Sequence, residues 1–177
     1  MRTKTYIAAD FDHDKDAVDQ LYDWKNNKSL SFDFQDAHDL TQARDTSLFC
    51  SIKDSLRLRL NNSKTFVLIV GEHTDSITKG GCQFCQSYNS WGGYCVRGQS
   101  VDFRSYIKFE CEKARMDFSS NLLKKIVVLY KSTNVDKNNC PEAVRDIGTH
   151  VPMKHYLYIG GNYYLDWDYQ TVKKALE

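Results

Sequence analysis

The chain has 177 residues, with 24 Lys and Arg against 23 Asp and Glu and a formal net charge of +1. That length suits one domain with a sizeable core, and the balanced charge leaves no electrostatic footprint for nucleic acid or an anionic membrane. Aromatic residues make up 13%, too many for a disordered chain. Met1-Arg2-Thr3-Lys4-Thr5 leads straight into an apolar-aromatic run without a signal-peptide core. No apolar run reaches the length of a membrane span. A cytoplasmic location is expected. There, six cysteines read as thiols or metal ligands rather than disulfides.

Thr5-Tyr6-Ile7-Ala8-Ala9 predicts a short buried strand. The polar turn Asp10 to Asp16 follows, with Asp14 a candidate N-cap. Ala17, Val18, Leu21, Tyr22 and Trp24 supply the apolar residues of a first helix, ended at Asn26-Asn27-Lys28. Leu30 to Gln35 alternates apolar with polar and predicts an edge strand. Residues 36–46 form a polar loop, and Thr46 or Ser47 caps a second helix. Its inward face is Leu48, Ile52, Leu56 and Leu60, with Arg57 and Arg59 outside. Lys64 to Gly71 is the clearest strand. Phe66 to Val70 are continuously apolar, as in a central parallel strand covered on both faces.

Residues 72–99 are rich in Gly, Ser and Cys and too long for an ordinary connection. They read as an insertion, over about 75–99, in a single domain spanning 1–177. An amphipathic helix is predicted over 100–118. Phe103, Ile107, Cys111, Ala114 and Phe118 recur at the spacing of one helix face. At about 100° per residue, Glu110 falls at the margin of that face and Glu112 in solvent. A second central strand spans Lys125 to Tyr130. Pro141 stands at the first position of a short helix, and Lys154 to Ile159 reads as a fifth strand. Gly160-Gly161-Asn162 is a turn, and Asp168 caps a last helix containing Val172, Ala175 and Leu176. Alternating strands and helices predict an α/β fold. Its class is a flavodoxin-like three-layer sandwich with a five-stranded parallel sheet in the order 2-1-3-4-5. Ligands of such sheets bind at the carboxyl ends of the strands, where the order reverses. The Glu110 helix begins at that rim.

An ionised carboxylate on an inward face is either paired or lines a cleft. The pairing candidates are Arg44, Arg104 and Lys108. Asp10, Phe11 and His13 follow the first strand. An aromatic there can stack on a ligand ring, and an acid can accept from a ligand hydroxyl; a turn and a helix cap is the plainer reading. Arg44 suits a pyrophosphate as a bidentate donor, or is a surface charge. The chain has no glycine-rich phosphate loop with Rossmann or P-loop spacing. A dinucleotide-cofactor fingerprint is therefore missing.

Several stretches together resemble the Toll/interleukin-1 receptor (TIR) domain, and more narrowly the TIR-like proteins of bacterial Thoeris anti-phage systems. They are Thr5 to Asp14, Arg44-Asp45-Thr46-Ser47 through Ile52-Lys53, Phe66 to Gly71 with Thr74, and Tyr106-Ile107-Lys108-Phe109-Glu110. The last is similar to the family's aromatic-apolar-x-aromatic-Glu motif. Two features depart from the family: the long segment Gly80 to Gln99, and Tyr106 where Trp is commoner. The resemblance implies an enzyme that cleaves the nicotinamide–ribose bond of NAD, an NAD nucleosidase or ADP-ribosyl cyclase. The product would be an ADP-ribose-derived, cyclic signalling nucleotide that addresses a separate effector protein. It implies Glu110 as the catalytic residue. Substrate contacts are expected from Asp10, Phe11, His13, Asp36, Arg44, Thr74 and Tyr106. No cofactor is expected to be required, and a homo-oligomer is an open expectation. The alternative is a non-catalytic TIR interaction module, in which Glu110 is an ion pair. A receiver-like domain is disfavoured, because Val70-Gly71-Glu72 fits its phosphoacceptor position poorly.

Cys82-Gln83-Phe84-Cys85 is a C-x-x-C, with Cys95 ten residues beyond. Free thiols are the favoured reading. A structural zinc on Cys82, Cys85 and Cys95, with Cys111 or His73 as fourth ligand, is the weaker one. A redox pair lacks the helix start it needs. Tyr88 to Tyr94 reads as a lid or as cover for a sheet edge.

Overall fold

The computed structural model describes residues 2–37 and 48–177. Strand β1 (Lys4–Ala8) leads to helix α1 (Lys15–Asn26), and helix α2 (Phe49–Asn61) to strand β2 (Ser63–Val70). The insertion holds two two-residue strands, β3 (Tyr88–Asn89) and β4 (Tyr94–Cys95). Helix α3 (Tyr106–Ser119) and strand β5 (Lys125–Tyr130) follow. Strands β6 (Thr149–Pro152), β7 (Lys154–Ile159) and β8 (Asn162–Trp167) and helix α4 (Tyr169–Leu176) complete the chain.

The main sheet is parallel and four-stranded, in the order β1-β2-β5-β6. Successive residues point to opposite faces, and each face has its own core. Tyr6, Ala8, Phe66, Leu68, Val70, Ile126 and Val128 pack against α2 and α3. Ile7, Val67, Ile69, Val127 and Leu129 pack against α1 and α4. Both faces of β2 are covered, which is why its sequence is apolar without alternation.

The sheet departs from the expected five strands at two places. Leu30 to Gln35 does not form a strand; a single parallel bridge joins Asp36 to Thr5. Its aromatic rings nevertheless face inward. Phe32 packs edge-on to Trp24 and Tyr169, and Phe34 lies tilted against Tyr22. Ring packing thus holds this segment, with little backbone ladder. The bridge sits beside β1, at the edge where the second strand is expected, and the sheet itself has four strands.

The second departure is at the other edge. The sheet's last strand is β6, and Lys154–Ile159 instead pairs antiparallel with β8 in a separate hairpin. Pro152 lacks an N–H and is tolerated at such an edge. Gly160 and Gly161 have φ of 60° and 89°, as a two-residue hairpin turn of the primed type requires.

Three helix details also differ. α3 starts at Tyr106, not near Ser100, because Ser105 caps it: its Oγ accepts from Lys108 N at 3.3 Å. Phe103 is therefore outside the helix and exposed. The helix expected at Pro141 is a pair of single 3₁₀ turns, Lys137–Asn139 and Glu142–Val144. Too few residues separate Pro141 from the left-handed Gly148 for more. Arg59 is buried, not outside. It stands three residues after Leu56 and seven after Ile52, on the same face. Asp14 does precede α1, although its side chain makes no capping bond there. Asp168 does cap α4, accepting from Thr171 N at 2.9 Å.

Candidate active site

The carboxyl end of β1 leaves the sheet at Ala8 and turns over Asp10 and Phe11. α3 crosses the same face behind it. Between them lies a cavity of about 240 Å³, lined by Ile7, Ala9, Asp10, Phe11, Ile52, Leu56, Arg59, Ile77, Lys79, Tyr106, Ile107 and Glu110. Its walls are mostly apolar, and a few polar groups converge on it, the usual character of a small-molecule site.

Glu110 is 5% exposed. One carboxyl oxygen, Oε1, accepts a hydrogen bond from the Tyr6 hydroxyl. Tyr6 is itself fully buried, and burial, with the Glu110 charge second, pushes its phenol well up. Tyr6 therefore stays a proton donor at neutral pH. Burial pushes the Glu110 carboxyl up to about 7, against the opposing pull of the Tyr6 hydrogen bond and the Arg59 charge. A carboxyl that titrates near neutrality beside a cleft has the property of a working acid or base. The ion-pair reading of Glu110 loses one of its candidates. Arg104 is engaged by Asp102 at 2.7 Å and Glu112 at 2.6 Å. Arg44 lies outside the described residues, as do Thr46 and Ser47. Glu112 faces outward, as expected.

The predicted substrate residues divide. Asp10, Phe11 and Tyr106 line the cavity with Glu110. Asp10 is fixed by its own turn: Oδ1 accepts from Asp12 N at 3.1 Å, and Oδ2 lies 2.6 Å from His13 Nδ1. His13 does not line the cavity. It stands in solvent, with its proton affinity raised by the Asp10 hydrogen bond, and its ring meets His73 edge-on. Thr74 is buried but structural: its Oγ1 accepts from Gly71 N at 2.8 Å and closes the turn after β2. Asp36 is also turned away from the cavity and accepts from the Tyr22 hydroxyl beside β1.

Three lining or supporting residues were not anticipated from sequence. Tyr6 had a signal: a hydroxyl in a fully buried strand needs a partner. Arg59 had one too, in its helical spacing. Lys79 had none. Its Nζ reaches Asp12 Oδ2 at 2.8 Å and so links the start of the insertion to the β1 turn at the cavity mouth. A wider groove of about 430 Å³ runs on the outer side of α3, with Lys108, Glu112, Arg115 and Arg145 among its lining. It presents exposed charges of both signs, and Glu110 does not reach it.

Among the described residues, no helix is long and apolar enough to cross a membrane. No curated protein matches the chain. Residues 6–79 match the family model for the Thoeris protein ThsB, TIR-like domain. That span carries most of β1, α1, α2, β2 and the cavity's β1 rim, and it ends before α3. Over residues 6–79 the chain is thus similar to the TIR-like domain of the Thoeris protein ThsB.

Proposed function

We propose that the chain is a TIR-type enzyme that cleaves the nicotinamide–ribose bond of NAD and releases an ADP-ribose-derived, cyclic signalling nucleotide. The observation that carries this reading is the position of Glu110: a buried carboxyl on an inward helix face, opening on a cavity at the carboxyl end of β1. A module used only for protein contacts has no need of such a space beside a carboxyl.

The chemistry asks little more of the protein. As the C1′–N bond breaks, its electron pair goes to the nicotinamide nitrogen, and the ribose carbon becomes oxocarbenium-like. The leaving group is already cationic, so no acid is needed to protonate it. Ionised Glu110 stabilises the developing charge and orients the ribose hydroxyls, as a carboxylate does in glycoside hydrolysis. Tyr6 holds that carboxylate in place. Phe11 offers a ring to stack on nicotinamide, and Asp10 an acceptor for ribose. The cavity, at about 240 Å³, is below the usual range of about 300–1,000 Å³ for whole ligands. It suits the nicotinamide-riboside end, with the pyrophosphate leaving past the Lys79 mouth. Water or an adenine nitrogen then attacks the ribose carbon, giving hydrolysis or cyclisation.

The test is product identity. The purified chain is incubated with NAD, alone and with lysate of uninfected or phage-infected cells. Adenine-containing products are separated by chromatography with mass detection. A product lighter than ADP-ribose by one water supports cyclisation, and ADP-ribose alone reduces the reading to a hydrolase. No product under any condition leaves the interaction module.

A further inference from the structure

The insertion has little to hold it together. Its neck is closed: Tyr106 N donates to Lys79 O at 2.9 Å and Cys82 N to Asp102 O at 3.0 Å. Lys53 of α2 donates to the carbonyls of Asp102 and Arg104 at 3.0 and 2.6 Å. Beyond the neck, Ser87 is the only buried residue between Gln83 and Val101, while Phe84, Trp91, Tyr94 and Val96 are exposed. A segment of this length without an apolar interior has no hydrophobic gain to offset its ordering entropy. Small units in that position rely on disulfides or a metal.

What its residues do converge on is sulfur. Cys82 and Cys85 flank one tight turn, and Cys95 lies on β4 across from Tyr88. Cys50 enters from outside the insertion, on the first turn of α2. All four line one narrow cavity of about 10 Å³, together with Leu48, Tyr88, Gln99 and Ser100. That is space for about one water at most. Asp102 N donates to Cys82 Sγ at 3.2 Å. The Tyr106 hydroxyl is buried and has no hydrogen-bond partner among the described residues. It lies close enough to Cys50, Cys82 and Cys85 to feel their charge. A buried hydroxyl without an acceptor costs about 1–3 kcal/mol, and such a group calls for something that supplies one.

We propose that Cys50, Cys82, Cys85 and Cys95 bind one structural zinc ion. Four soft thiolates around one small space are the ligand set of a tetrahedral structural zinc, with no position left for substrate. The fourth ligand is Cys50, not Cys111 or His73. Cys111 is packed in the core on the inner face of α3, and His73 meets the His13 ring edge-on. Among the described residues, no three candidate ligands are already gathered as a metal-binding group. Thiols that share one cavity close to bonding distance only when a cation draws them in, because metal binding and site closure are coupled. As each S–Zn bond forms, the thiol proton leaves to solvent. Four thiolates and one Zn²⁺ leave two negative charges, and Lys53 lies near enough to Cys82 to meet them. Tyr106 gains a thiolate acceptor. The ion would clamp the insertion to α2 just behind Tyr106, and so fix one wall of the Glu110 cavity. The proposal does not depend on the NAD reading.

The full chain, purified under reducing conditions from zinc-supplemented cells, is assayed for metal by mass spectrometry and against a chromophoric zinc chelator. About one zinc per chain is expected. Cys50→Ser and Cys95→Ser should each lower zinc affinity at least about tenfold, whereas Cys140→Ala and Cys111→Ala retain it. Should the serine variants fail to fold, Co²⁺ added to the metal-stripped wild-type chain decides. Intense near-ultraviolet thiolate-to-cobalt absorption with the visible bands of a four-sulfur tetrahedron supports the site. A wild-type chain that holds no zinc and gives no such cobalt spectrum overturns the proposal. So does a Cys50→Ser chain that binds zinc as tightly as wild type.

Discussion

Replacing Tyr6 by Phe removes one oxygen and leaves the ring that packs against Phe66. The oxygen lost is the one that donates to Glu110 Oε1. A hydrogen bond to a charged acceptor is worth about 1.5–3 kcal/mol. It favours the ionised carboxylate, so its loss raises the pH at which Glu110 ionises by about one to two pH units. The wild-type midpoint lies at about 7, which places that of Tyr6→Phe at about 8 to 9. In the proposed mechanism Glu110 acts as the carboxylate, so nicotinamide release should be present above the midpoint and fall as the pH is lowered through it. At pH 7.5 the ionised fraction drops from roughly three quarters to about one tenth, and the rate should fall by about the same factor. At pH 9.5 most of the rate should return. The assay is initial rate of nicotinamide release against pH, with far-ultraviolet circular dichroism to show that both chains are folded. A Tyr6→Phe profile that keeps its midpoint, whether or not the plateau drops, refutes the linkage between Tyr6 and Glu110.

Three further outcomes follow from the same geometry. Glu110 is held protonated by burial, so its ionisation between its unfolded value near 4.5 and about 7 costs the fold about 3 kcal/mol. Stability should fall across that window, and Glu110→Gln should melt several degrees above wild type at pH 8 while matching it near pH 4.5; a lower melting point at pH 8 contradicts this. Phe11→Ala removes a stacking surface worth about 1–3 kcal/mol and should raise KM for NAD by about 5- to 100-fold with kcat little changed, whereas an unaltered KM takes Phe11 out of the site. Gly80 has φ +103°, and a Cβ there would sit 2.5 Å from the Tyr106 ring, so Gly80→Ala should cost about 1–3 kcal/mol in urea unfolding; a loss below about 0.5 kcal/mol would mean that the contact relaxes freely.

The parts of the fold legible in sequence are those where a single period decides the answer. The continuous run Phe66 to Val70 could only be a strand covered twice, and the spacing of Ile107, Cys111 and Ala114 could only be one helix face. Glu110 was legible for the same reason, because its angle on that helix fixes its side. Reading failed where tertiary packing overrode local pattern. Phe32 and Phe34 alternate like a strand, yet their rings are held by Trp24, Tyr22 and Tyr169 rather than by a ladder. Thr149 to Pro152 is too short and too marked by proline to announce a sheet strand, and the more aromatic run Lys154 to Ile159 took its place. The Gly160-Gly161 pair between two aromatic runs did carry a hairpin signal. Tyr6 illustrates the remaining gap: its hydroxyl had to find a partner, but only the crossing of α3 over β1 says that the partner is Glu110.

The most direct measurement is nicotinamide release from NAD by three chains side by side: wild type, Glu110→Gln and Glu112→Gln. The two glutamates lie on one helix, two residues apart and on different sides, one against the cavity and one in solvent with Arg104. Activation by infected-cell lysate is included for all three. Catalysis by Glu110 predicts that Glu112→Gln keeps the wild-type rate within about twofold, while Glu110→Gln loses at least about a hundredfold. Equal rates in Glu110→Gln and wild type, with both folded, would contradict the assignment of Glu110 as the catalytic group.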